Sequence, residues 1–166
     1  MVGTELREKN LVLETKRWGT LDIDNNDVLF FERGIPGFEG MSHFAIFESK
    51  DIQPFKWLIS TENPDIGFVI VPPHLFHPNY NPKLYETDLE ELKVDQSNNL
   101  ALFVIITLTN NPLDSTANLQ GPLLINLTKR IGKQIIVVDE EYSIKFPILA
   151  ASKIKAKKRE PVEVAF

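Results

Sequence analysis

Apolar residues in this chain gather in runs of five to nine, separated by turn residues at intervals of about ten. That rhythm predicts short strands. LVLETK (11–16) and TLDID (20–24) flank Trp18-Gly19, a hairpin turn. VLFFE (28–32) runs into the loop GIPGFEG (34–40), and HFAIFES (43–49) leaves it. FKWLIS (55–60) ends near Asn63-Pro64, and IGFVIV (66–71) stops at Pro72-Pro73. LALFVIITL (100–108), between Asn98-Asn99 and Asn111-Pro112, is apolar nearly throughout, which predicts a strand buried on both faces. LLINLT (123–128) and KQIIVVD (133–139) are joined by KRIG (129–132), which contains a glycine and predicts a hairpin connection.

Only ETDLEELKV (86–94) has a helical pattern, with Thr87 as a candidate N-cap and acids in the first turn. No repeat or linker divides the chain. The expectation is an all-β fold: a single-domain antiparallel β-barrel or closed sandwich over residues 1–166, with one or two short helices.

Composition narrows the function more than the fold. The chain has 166 residues, 43% hydrophobic and 25% charged, enough to bury a core without cross-links. It has no cysteine, which excludes disulfides and thiolate metal sites and fits a reducing cytoplasm. The N-terminal segment carries charges where a signal peptide has its apolar stretch, and Leu100–Ile106 is too short to span a bilayer. Cytoplasmic location without membrane attachment is therefore expected.

Net charge is −5, distributed unevenly: residues 151–166 carry +3, leaving −8 on the first 150. An acidic body disfavours direct binding to nucleic acid, whose phosphates require Lys and Arg. The basic end is either a solvated face or a partner contact. An acidic chain without a long exposed apolar run is expected to be a monomer when free.

Catalytic chemistry finds little to use. GIPGFEG spaces its glycines as G-x-x-G-x-x-G, not as a dinucleotide fingerprint, and Pro36 removes an amide a phosphate would need. His74 and His77 lie three apart in PPHLFHP (72–78), where flanking prolines preclude the helix that would align them as metal ligands. No nucleophile elbow, zincin helix or cysteine nucleophile is present. No enzyme, metal or cofactor is expected. Two rivals stay open: a small barrel that binds flavin, and a nucleic-acid-binding barrel using Lys153–Arg159.

Two stretches break the strand rhythm. Gly34 and Gly37 can take positive φ, Ile35 before proline is held extended, and Pro36-Gly37 suits the centre of a type II turn. Phe38 then stands at a defined place, either as an inward plug or as an outward anchor. In ANLQGPLLIN (117–126), Gly121-Pro122 falls inside an otherwise continuous strand. That predicts a bulge, serving either to bend a barrel or to present an edge to a partner.

Together these stretches resemble the flagellar assembly factor FliW family. The resemblance rests on Gly34-Ile35-Pro36-Gly37-Phe38, on Asn118-Leu119-Gln120-Gly121-Pro122 through Asn126, and on Gly132-Lys133-Gln134. Residues 54–80 (PFKWLISTENPDIGFVIVPPHLFHPNY) are similar to the family's intervening segment. The likeness runs from about residue 11 to about residue 146. Gly121 departs from it, since alanine is usual there, and the last dozen residues match nothing in it.

The resemblance implies a non-catalytic cytoplasmic protein that binds unexported flagellin and also binds CsrA, the RNA-binding repressor of flagellin translation. Flagellin and CsrA would compete for it. It further implies partner contact at Ile35, Pro36, Gly37 and Phe38, and at Asn118, Leu119, Gly121, Pro122 and Asn126.

Overall fold

Most strands that the sequence places are realised; the one expected over 133–139 is corrected, since its strand ends at Gln134. The computed structural model describes residues 10–96, 99–111 and 114–148. The terminal basic segment Lys153–Arg159 lies outside the described residues. Within them the chain forms β1 (Asn10–Thr15), β2 (Gly19–Asp24), β3 (Val28–Phe30), β4 (His43–Glu48), β5 (Lys56–Ser60) and β6 (Gly67–Val71). A short helix α1 (Glu86–Glu91) follows, then β7 (Leu100–Thr107), β8 (Thr116–Ala117), β9 (Leu123–Asn126), β10 (Ile131–Gln134) and β11 (Phe146–Pro147).

Neighbour order β7-β6-β5-β4-β3-β10-β9 returns to β7, which closes a seven-stranded barrel. The ring has an odd number of strands, so up-and-down alternation cannot be satisfied all the way round. One neighbouring pair must be parallel. That pair is β3 with β10, joined only at Phe30 and Ile131, while every other pairing is antiparallel. The antiparallel barrel that the sequence predicts is present, with this one parallel seam. β1 and β2 form a separate hairpin, and β8 and β11 extend the sheet beyond β7.

The two-residue period of the strands sorts side chains to either side of the wall. Leu29, Phe31, Ile35, Phe44, Leu58, Ile70, Phe103, Leu123 and Ile125 are packed together as the barrel interior. Each is worth about 1.5–3 kcal/mol relative to exposure. Their neighbours in sequence point outward to three further clusters. Ala45 and Ile59 meet the β1–β2 hairpin at Leu13, Leu21 and Ile23. Val69, Val71, Val104 and Ile106 lie under Phe76, Tyr80 and Tyr142, and Leu124 meets Leu92 beside α1. Because β7 has apolar neighbours on both sides, Phe103, Val104 and Ile106 are all buried, as the unbroken apolar run predicts, though Leu100 and Leu108 at its ends are exposed.

Two local expectations are corrected. The N-cap of α1 is Tyr85, with no side-chain cap bond, and Thr87 lies inside the helix. The last hairpin turns earlier than its glycine suggests: residues 127–130 form the turn and Gly132 lies within β10. Arg130 takes the left-handed conformation, with φ of 59°. Gly132 is there for space, since a Cβ would meet the Phe31 ring at 2.4–2.9 Å.

Candidate functional site

The Gly-Pro loop follows β3 and turns back sharply. Gly34 and Gly37 have φ of 64° and 90°. The Phe38 N–H donates to the Ile35 carbonyl at 2.6 Å, closing a turn centred on Pro36 and Gly37. Positive φ at the third residue is the type II geometry that glycine allows. At Gly34 a Cβ would also fall 2.8–2.9 Å from backbone atoms of Met41, Glu39 and Phe38, so the loop folds tightly onto it. The Glu39 carboxylate accepts the Gly37 N–H at 3.0 Å, and this bond holds its pKa below the ordinary value. Ile35 is buried in the barrel interior, whereas Phe38 is half-buried, edge-on to Phe68 with ring centres 5.1 Å apart. The ring is therefore neither a full plug nor a free anchor.

The second stretch is a bulge. Ala117 pairs with Ile106 and Leu123 with Phe103, so residues 118–122 face only Val104 and Ile105 of β7. The surplus chain is pushed off the ladder and must find other partners. The Tyr80 hydroxyl donates to the Leu119 carbonyl at 2.6 Å. Burial, and then the neighbouring Tyr142, push the pKa of Tyr80 upward, keeping it a donor. Gln120 Nε2 donates to the Tyr142 carbonyl at 2.7 Å, and Asn118 Oδ1 accepts the Gln120 N–H at 3.0 Å. From β10, Gln134 Nε2 donates to the Gly121 carbonyl at 2.8 Å. A Cβ on Gly121 would lie 2.6 Å from that nitrogen, so glycine lets the Gln134 amide lie flat over the bulge.

Turn and bulge face one another across a groove of about 440 Å³. Its lining combines Ile35, Pro36 and Phe68 with Asn118, Gln120 and Gly121 of the bulge and with Gln134, Ile136 and Ile144. Pro36, Gln134 and Ile136 also border a second cleft of about 490 Å³, which opens where β3 and β10 part. This cleft is acidic, with Glu32, Glu39, Asp88 and Glu91 against Arg33 and Lys133. Lys133 Nζ reaches Asp88 at 2.6 Å and Glu91 at 2.8 Å, and Arg33 reaches Glu91 at 3.2 Å. Burial opposes the Lys133 charge, but hydrogen bonds and the field of Asp88 and Glu91 outweigh it, and its pKa is raised.

Of the residues singled out in the sequence, Ile35, Pro36, Asn118 and Gly121 meet in one groove, whereas Gly37 and Phe38 are not part of its lining. Leu119 and Asn126 are 1% and 0% exposed, and Pro122 is also buried. Their side chains hold the frame. Asn126 Nδ2, for instance, donates to the Leu92 carbonyl at 3.0 Å and ties α1 to β9. His74 Nε2 bonds the Tyr80 carbonyl at 2.9 Å, and the His77 ring packs on Tyr80, Tyr142 and Phe146. Among the described residues no group of three or more metal-ligating side chains converges, and no helix is long and apolar enough to cross a membrane.

Sequence reasoning missed the acidic cleft and the exposed Ile136 and Val138. The cleft joins residues some 100 positions apart, from Glu32 to Lys133. Ile136 and Val138 were hidden in an unbroken apolar run, where alternation gives no sign of which face is open.

Comparison with known proteins completes the description. A family model described as FliW protein matches residues 12–148. The flagellar assembly factor FliW of Thermoanaerobacter pseudethanolicus is 39% identical over 138 residues, covering 82% of this chain and 92% of the relative. The protein of that name from Caldanaerobacter subterraneus is 41% identical over 138 residues, with the same two coverages of 82% and 92%. A crystal structure of the flagellar assembly factor FliW superposes with a TM-score of 0.77 at 36% identity, covering 83% of this chain and 96% of that one.

Proposed function

This chain belongs to the FliW family, and on that footing we propose that it is a non-catalytic cytoplasmic flagellar assembly factor. In this reading it binds flagellin awaiting export and antagonises the translational repressor CsrA. Flagellin leaving the cell frees the protein to capture CsrA, and translation of flagellin messenger resumes.

One observation carries the reading. The turn and the bulge, far apart in sequence, line a single groove that is more apolar than polar and borders an acidic cleft. A partner segment with apolar residues along one face needs an apolar groove to receive them. A basic RNA-binding protein is attracted by carboxylates that repel its RNA. Backbone conformation at Gly34 and Gly37 fixes the turn in advance, which lowers the ordering cost of association. The acidic body makes direct binding to RNA unfavourable.

Calorimetric titration with monomeric flagellin from the same organism tests the first half, with one-to-one binding expected. CsrA titrated into the preformed complex tests the second, with displacement expected. No complex with flagellin at concentrations of tens of micromolar would overturn the flagellin reading.

A further inference from the structure

A closed barrel ordinarily has no free strand edges, because every strand has two neighbours. Here the β3–β10 ladder ends after one residue pair, and residues 135–139 beyond β10 belong to no strand of the sheet. In this segment the Ile135 N–H donates to the Pro122 carbonyl at 2.8 Å and the Val137 N–H to the Gln120 carbonyl at 2.9 Å. Odd-numbered amides thus point to the bulge and the even-numbered ones to the opposite side. Among the described residues, the N–H groups of Ile136 and Val138 have no backbone partner. The side chains alternate as well: Ile135 and Val137 are buried, whereas Ile136 and Val138 are 72% and 76% exposed, the highest values among the exposed large hydrophobic residues.

Natural sheets protect a free edge with lysine, proline or a covering loop. This one displays two β-branched apolar side chains instead. Carboxylates outnumber cations at both ends: Glu32, Glu39, Asp88 and Glu91 against Arg33 and Lys133 in the cleft beside its start, and Asp139, Glu140 and Glu141 immediately after it, with Lys83 beside Val138 and Asp139.

We propose that the Gln134–Val138 edge binds a protein partner by strand addition. Its occupant is an extended segment, apolar at alternate positions and flanked by basic residues. Main-chain hydrogen bonds from Ile136 and Val138 supply the register, their side chains and the adjoining groove receive the alternate apolar residues, and the two acidic ends hold the basic flanks. The inference rests on the reading of this face as a partner site and specifies how the partner is held.

Hydrogen exchange of the full-length protein tests it, alone and with flagellin, CsrA or the synthetic peptide Lys-Val-Thr-Val-Thr-Val-Lys. Free protein should exchange the Ile136 and Val138 amides quickly. At least one protein partner and the peptide should slow both. Ile136→Pro, which removes an N–H unused within the fold, should weaken the same complex about tenfold, the scale of one hydrogen bond. Ile136→Thr, which keeps the N–H and the β-branch, should weaken it less. If every complex that forms leaves these amides exchanging as in free protein, strand addition is overturned but the function stands. If neither flagellin nor CsrA binds while the peptide protects the edge, the proposed function fails and the edge site stands. No peptide binding at millimolar concentration, or protection before any partner is added, overturns the site.

Discussion

Phe38 tests how far the Gly-Pro turn serves folding and how far it serves binding. Replacing a fully buried phenylalanine by alanine costs about 3–5 kcal/mol. Phe38 is half-buried, with one side against Phe68 and the other toward solvent. About half of that cost, roughly 2 kcal/mol, is therefore expected for Phe38→Ala, including the lost edge-on ring contact. In a domain of this size each kcal/mol lowers the melting temperature by about 2–4 °C, so a fall of roughly 4–8 °C should be seen by differential scanning fluorimetry. The turn itself should survive, because Gly34, Gly37 and the Ile35–Phe38 hydrogen bond do not need the ring. Below the melt, affinity for flagellin or CsrA should fall by roughly 5–30-fold, as for an interface anchor worth about 1–2 kcal/mol. Complete unfolding would show that the ring is a plug. An unchanged melt together with unchanged binding would refute both roles and the area reasoning behind them.

Three other substitutions probe the frame. Gly132→Ala should destabilise by about 1–3 kcal/mol through overpacking against the Phe31 ring, and Phe31→Leu in the same chain should recover part of that loss; additive costs in chemical denaturation would refute the clash. Tyr80→Phe removes the donor to the Leu119 carbonyl and should cost about 1–3 kcal/mol, with faster exchange of amides in the bulge; a change confined to residues 72–80 would count against its pinning role. Because the pKa of Lys133 is raised in the folded state, its contribution is present below the unfolded value and is lost as pH rises through the folded one. Thermal melts should thus fall more steeply under alkaline conditions for the native protein than for Lys133→Met, and parallel curves would contradict the assignment.

The sequence revealed most strands because local sterics and alternation act over a few residues. It also revealed the turn at Pro36-Gly37, whose conformation depends on glycine and proline alone. Gly132 was misplaced for the opposite reason. A glycine in the sequence does not say whether it is needed for φ or for room, and the room was demanded by Phe31, a hundred positions away. The parallel seam was likewise illegible until the strands could be counted around the ring. The bulge was visible through Gly121-Pro122, but its fasteners Tyr80 and Gln134 are set by tertiary approach. Asn126, chosen for its place in a motif, is a buried link to the helix.

The seam has a consequence for synthesis. Its two strands are separated by about a hundred residues, so their meeting carries a large loop-closure cost and is expected late in folding. One part of the groove, at Ile35 and Pro36, leaves the ribosome early; its last lining residues, Ile144 and Lys145, are among the last of the described residues to emerge. A growing chain thus has a finished turn with nothing opposite it. Only a chain synthesised past Lys145 can present both parts, so a shorter translation fragment would lack the groove on which the proposed function depends.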